Sequence, residues 1–163
     1  MKLDHYEIDI LLLSAIKSEI ESRDVYKKLA EKTDNGLLKD KLKFLSIEEE
    51  KHREFIEEIF KNHYPENKME LPDKSPVPLP GVYINEDTEL SKLLNQAMQA
   101  EKVASDFYKS LSSRFEKGSK IYNTLNYFSD MEIGHYKILE TEKESMERYE
   151  EGEVYWPMVH VGP

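Results

Sequence analysis

Ser46-Ile47-Glu48-Glu49-Glu50-Lys51-His52 is met again, in altered dress, as Ser129-Asp130-Met131-Glu132-Ile133-Gly134-His135. Both copies keep Ser, Glu and His in one register. A single Glu-x-x-His in a Glu-rich helix is ordinarily a solvated face. Two copies invite a comparison of the helices that carry them.

Four long stretches show helical periodicity. The first runs from about residue 6 to Thr33 and stops at the turn signal Asp34-Asn35-Gly36. The second runs from about Leu37 to Asn62. The third is expected to start near Asp87 or Thr88, either of which suits a cap, and to end near Glu116-Lys117-Gly118. The fourth runs on to about Glu150. Between the second and third lies a linker, residues 63–86, with prolines at 65, 72, 76, 78 and 80, so this segment reads as extended. Its 24 residues, at ~3.1 Å each, can span a helix of ~40 Å. The expectation is all-α: a ferritin-like four-helix bundle over residues 1–150, with a long crossover that lets helices two and three run parallel. The tail 151–163 has no helical pattern, and Trp156-Pro157 within it reads as a packing strap or a dimer contact.

Writing each helix in alternating steps of three and four gives its core stripe. Helix one offers Ile8, Leu12, Ala15, Glu19, Ser22, Tyr26 and Leu29. Helix two offers Leu38, Leu42, Leu45, Glu49, His52, Ile56 and Ile59. Helix three offers Leu90, Leu94, Ala97, Glu101, Ala104, Tyr108, Leu111 and Phe115, and helix four Ile121, Leu125, Phe128, Glu132, His135 and Leu139. Each stripe puts a Glu in its middle where an apolar residue belongs. The two Glu-x-x-His copies add a His one turn on.

A buried, unpaired carboxylate is costly, and four in one layer would repel one another unless protonated or bound to cations. Two divalent ions balance four glutamates, and neutral imidazoles complete the coordination. The heights agree. Glu19 and Glu49 are 30 residues apart about a midpoint in the first turn, and Glu101 and Glu132 are 31 apart about a midpoint in the second. The halves also match at an offset of 82–83, pairing Glu19 with Glu101, Tyr26 with Tyr108, Glu49 with Glu132 and His52 with His135. A duplicated hairpin building a two-fold dinuclear metal site follows. Tyr26 and Tyr108 lie on the same stripes, and two compatible readings stand: core packing, or hydrogen bonds to ligand carboxylates. His5, His63 and His160 read as surface residues.

Composition narrows the rest. A net charge of −10 argues against nucleic acid, and no apolar run approaches the ~20 residues that span a bilayer. The N-terminal stretch lacks a signal-peptide pattern, so the expected location is the cytoplasm. The absence of cysteine removes disulfides, iron–sulfur clusters, thiolate zinc and a rubredoxin-type iron centre from these 163 residues. Abundant Glu and Lys with little Gln hints at a thermophile.

Glu19, Glu49-x-x-His52, Glu101 and Glu132-x-x-His135 resemble the ligand set of the ferritin-like di-iron superfamily, and most closely that of the rubrerythrin family, over nearly the whole chain apart from linker and tail. The resemblance implies two irons bridged by Glu49 and Glu132, with Glu19 and His52 terminal on one, and Glu101 and His135 on the other. It implies that Tyr26 and Tyr108 hydrogen-bond around the ligands. It further implies reduction of hydrogen peroxide or dioxygen, with electrons from an external donor such as rubredoxin. Ala104 departs from the family pattern, which carries an additional Glu one turn after the helix-three ligand. A ferroxidase or storage role, and a purely structural metal site, are the other readings. Manganese or zinc would also suit the ligands. A homodimer is expected, and the long linker allows the hairpins to be exchanged between subunits.

Overall fold

The computed structural model describes residues 1–85 and 87–150. The tail 151–163, with Trp156-Pro157 and His160, lies outside the described residues, as does Glu86 in the linker. Among the described residues the helices are α1 (Ile8–Lys32), α2 (Gly36–His63), α3 (Leu90–Ser112) and α4 (Lys120–Glu150). None is long and apolar enough to cross a membrane.

Local chemistry sets most of the ends. Asn35 caps α2, its side-chain oxygen accepting from the Leu38 N–H at 3.1 Å. Pro65 follows the last turn of α2 and stops it. Ser119 accepts from the Tyr122 N–H at 3.1 Å and so opens α4. Gly118 before it sits at φ +86°, which is strained for any residue with a Cβ.

Two expectations need correction at α3. Neither Asp87 nor Thr88 caps it: Glu89 holds the N-cap position without a side-chain bond. The helix also ends at Ser112, short of Glu116. Ser112 and Ser113 turn their hydroxyls back onto the Lys109 and Ser110 carbonyls at 2.9 and 2.6 Å, competing with the helical ladder. Arg114 and Phe115 then close tight turns onto Leu111 and Ser112. Phe115 still reaches the core, but from beyond the helix.

The core comes in two pieces. One gathers the start of α1 (Leu11, Leu12, Ile16), the end of α2 (Ile56, Ile59, Phe60), the end of α3 (Phe107, Leu111) and the start of α4 (Leu125, Phe128). The other gathers the opposite ends, with Leu29, Leu38, Leu42, Leu93, Leu94 and Leu139. α1 therefore runs parallel to α4, and α2 parallel to α3. The segment from His63 to Leu90 must cross the full length of the bundle. It does so with Met69, Val77 and Leu79 on the first cluster, and Val82 and Ile84 on the second.

α1 packs along α2, and α3 along α4, as two hairpins. An ion-pair network of Arg23, Glu50, Arg53 and Glu57 clasps the first hairpin from outside. Arg53 and Arg23 hold the Glu50 carboxyl down, to about 2. Across the hairpins, Lys41 of α2 donates to the buried carboxylate of Glu142 on α4.

Candidate metal centre

Between the two apolar clusters lies a single polar layer. Glu19 comes from α1, Glu49 and His52 from α2, Glu101 from α3, and Glu132 and His135 from α4. Each is at most 3 % exposed, so none gains from bulk water. The heptad-like stripes place them there. Each occupies a position on a stripe that is mainly apolar above and below the layer, and so is carried inward by the packing of its helix.

The six side chains fall into two overlapping groups. Glu19, Glu49, His52 and Glu132 offer ligand atoms within 4.8 Å of one another, and Glu49, Glu101, Glu132 and His135 do the same. Glu49 and Glu132 belong to both groups. His52 Nδ1 stands 3.0 Å from Glu132 Oε1, 3.5 Å from Glu49 Oε2 and 3.6 Å from Glu19 Oε2. His135 Nδ1 stands 3.0 Å from Glu132 Oε2, 3.2 Å from Glu49 Oε1 and 3.6 Å from Glu101 Oε2. The imidazole rings lie nearly parallel, 5.8 Å between centroids.

Closeness is not satisfaction here. Glu19 Oε2, Glu49 Oε1, Glu132 Oε1 and both ring nitrogens of His52 are buried without a hydrogen-bond partner. At 3.0 Å, His52 Nδ1 and Glu132 Oε1 are near enough to bond but not aligned for it. Buried polar atoms that converge without bonding are costly to a fold. A divalent cation in each group would satisfy the converging carboxylate oxygens and one ring nitrogen of each histidine together. Oxygen and imidazole donors with no thiolate suit iron or manganese, and also admit zinc.

Electrostatics give the same account. Burial, and then the charge of Glu49, pushes the Glu19 carboxyl well up. Burial and the charge of Glu132 do the same to Glu101. Burial opposes ionisation of Glu49 and Glu132 as well, but the two imidazoles outweigh it and hold both carboxyls down. Burial would lower His52, yet Glu132, Glu19 and Glu49 together raise it to about 12; His135 is raised likewise by Glu101, Glu132 and Glu49. These shifts favour the protonated form of the outer glutamates and of both histidines, and so lessen the repulsion among the four carboxyls.

Two tyrosines brace the layer across the hairpins. The Tyr26 hydroxyl donates to Glu101 Oε1, and the Tyr108 hydroxyl donates to Glu19 Oε1. Each tyrosine thus orients an outer glutamate of the other half. Burial, and next the charge of Glu19, raises the Tyr108 phenol and keeps it a donor. Both tyrosine rings are also buried in the core, so the packing and hydrogen-bonding readings hold together. Among the other histidines, His5 and His63 are exposed.

The family model described as rubrerythrin matches residues 10–153. The chain belongs to the rubrerythrin family. Members of this family are ferritin-like di-iron proteins. A solved structure of a hypothetical protein from Pyrococcus furiosus is 32% identical and superposes with a TM-score of 0.81, covering 91% of this chain and 95% of its own. No curated protein sequence matches the chain. The rubrerythrin fold and its carboxylate–histidine cluster fit a di-iron protein.

Sequence reasoning missed the wall beside this rubrerythrin centre. Ser18 and Ser22 of α1, Ala100 and Ala104 of α3, and Leu79 and Pro80 of the crossover line a small cavity that also touches the four glutamates. A signal existed. Ser18 and Ala100 pair at the same 82-residue offset as Ser22 and Ala104, so both halves keep a small residue on each side of the outer glutamate.

Proposed function

We propose that this chain is a non-haem di-iron oxidoreductase that reduces hydrogen peroxide, or dioxygen, with electrons from a separate donor protein. The observation that carries the reading is the pair of overlapping four-ligand groups with unsatisfied buried oxygens and nitrogens. Glu49 and Glu132 would bridge the two ions, Glu19 and His52 would complete one, and Glu101 and His135 the other. When bound, the metal pair supplies two electrons and Lewis acidity toward the departing oxygens. Hydrogen peroxide takes up two electrons and two protons to give two waters.

The protein's own residues prepare for that chemistry. The apolar clusters on either side keep bulk water from the layer. Tyr26 and Tyr108 donate to Glu101 and Glu19 and would hold these carboxylates in place as the metal pair changes charge. The chain has no cysteine for an iron–sulfur relay of its own, so a rubredoxin-like donor fits. The reading brings with it a cytoplasmic location and a homodimer. A cage-forming storage protein would instead elute from gel filtration as a very large particle.

The test is anaerobic loading with ferrous iron, followed by rapid mixing with hydrogen peroxide or with dioxygen. Two irons per chain oxidised faster by peroxide are expected. Faster oxidation by dioxygen moves the reading to an oxidase or ferroxidase, and bound metal inert to both leaves a structural site. Glu49→Ala removes a ligand from both groups, so it should bind no metal pair and show no turnover. Turnover retained in that variant rules out this centre.

A further inference from the structure

The cavity beside the centre measures about 10 Å³, on a scale where one water needs roughly 10–15 Å³. Its inner wall is the four glutamates, three of which, Glu19, Glu49 and Glu132, carry an unpartnered oxygen. Its sides are the short side chains of Ser18, Ser22, Ala100 and Ala104, where α1 and α3 face each other. Its roof is Leu79–Pro80.

Outside that roof lies a groove of about 640 Å³ between α1 and the crossover. Ser18, Ser22, Leu79, Pro80 and Ala100 line the groove and the cavity alike, so these residues are what separates one from the other. The opposite side of the centre is filled. Phe128 lies against the His52 ring at 4.1 Å, with Phe55 behind it at 5.4 Å from Phe128.

The roof is held on both flanks. Upstream, Val77 is 1% exposed in the first apolar cluster. The Pro76 carbonyl accepts from the Tyr6 hydroxyl at 3.0 Å. The Leu79 N–H reaches back to the Val77 carbonyl at 2.8 Å, a turn about Pro78. Downstream, the Tyr83 N–H donates to Gln96 of α3 at 3.1 Å. Leu79 is therefore stretched over the cavity between two fixed points.

We propose that Leu79–Pro80 roof the entry to the metal centre and restrict its oxidants to two-oxygen molecules, hydrogen peroxide and dioxygen, excluding organic hydroperoxides. The small helix residues leave a space no larger than about one water at the glutamates, so only the smallest oxidants can be accommodated with slight displacement of the leucine side chain that closes the space above it. The choice of oxidant rests on the function proposed above; the roof over the cavity does not.

The experiment loads the full chain with ferrous iron anaerobically and makes two measurements. One is the rate of iron removal by 2,2′-bipyridine. The other is the rate of iron oxidation by hydrogen peroxide and by cumene hydroperoxide. Leu79→Ala should speed bipyridine removal and cumene hydroperoxide oxidation by about tenfold or more, and change the hydrogen peroxide rate by less than about threefold. Leu79→Met, similar in volume, should behave as the unaltered chain. Ile84→Ala removes comparable packing elsewhere in the crossover and should leave iron removal unchanged; acceleration there as great as in Leu79→Ala would assign the effect to general loosening and overturn the roof. Unaltered iron removal in Leu79→Ala overturns it too, even if neither peroxide reacts. Equal oxidation of the unaltered protein by both peroxides overturns the size selection.

Discussion

At the residue scale the six candidate ligands are legible because each breaks a rule. A Glu in the middle of an apolar stripe costs stability unless something neutralises it, and four such breaks at one height leave few explanations. Ser18, Ser22, Ala100 and Ala104 break no rule. Small residues on a helix read as spacers until a neighbouring helix shows what they leave open. The tyrosines admit two readings from sequence because a helical stripe gives the height of a side chain but not what its hydroxyl meets across the bundle. Tyr108→Phe keeps the ring and removes the donor to Glu19, while Tyr26→Phe does so for Glu101. Either change should weaken metal binding by about 10–100-fold with the helical signal intact, as a competition titration against a chelator of known affinity would measure. Undiminished affinity in both would reduce the tyrosines to packing.

At the element scale the helices follow from periodicity, and their junctions follow from single residues. Periodicity carries α3 past its observed end because Phe115 stays in step with the stripe. Step alone does not hold a helix when consecutive serines offer the backbone other acceptors and donors. The crossover was legible as extended from its prolines, and as full-length from its reach. Which of its residues would lie over the centre was not, since a proline-rich segment has no period to read. Gly118 is the junction with the least freedom. Its φ of +86° lies where a Cβ is strained, although nothing crowds the position. Gly118→Ala should therefore destabilise the protein by about 1 kcal/mol or slightly more through the backbone alone, visible as a lower midpoint in urea with an unchanged slope.

At the scale of the whole molecule the polar layer decides how stability responds to pH. In metal-free protein Glu19 and Glu101 are raised, so the folded state holds protons the unfolded state has lost, and stability falls as pH rises above the usual carboxylate range. His52, raised to about 12, adds stability that is fully present below its ordinary 6.5 and is lost as pH climbs from there toward 12. Glu49 and Glu132 act oppositely, but only at acid pH, where their held-down carboxyls finally take protons. Thermal melts in a chelator should therefore give a lower Tm at about pH 8 than at about pH 5. Metal-loaded protein should reverse the trend, because metal must displace those protons to bind. A metal-free Tm that rises across that interval would contradict the charge assignment. The core split by this layer has one more consequence. Two small apolar clusters, joined through a seam that bound cations would stabilise, would make folding a reporter of supply. Each tenfold rise of free metal above its dissociation constant adds about 1.4 kcal/mol per site. In a cell short of metal, newly made chains would linger among unfolded forms and be exposed to proteolysis, so the amount of protein would track the metal available to fill it.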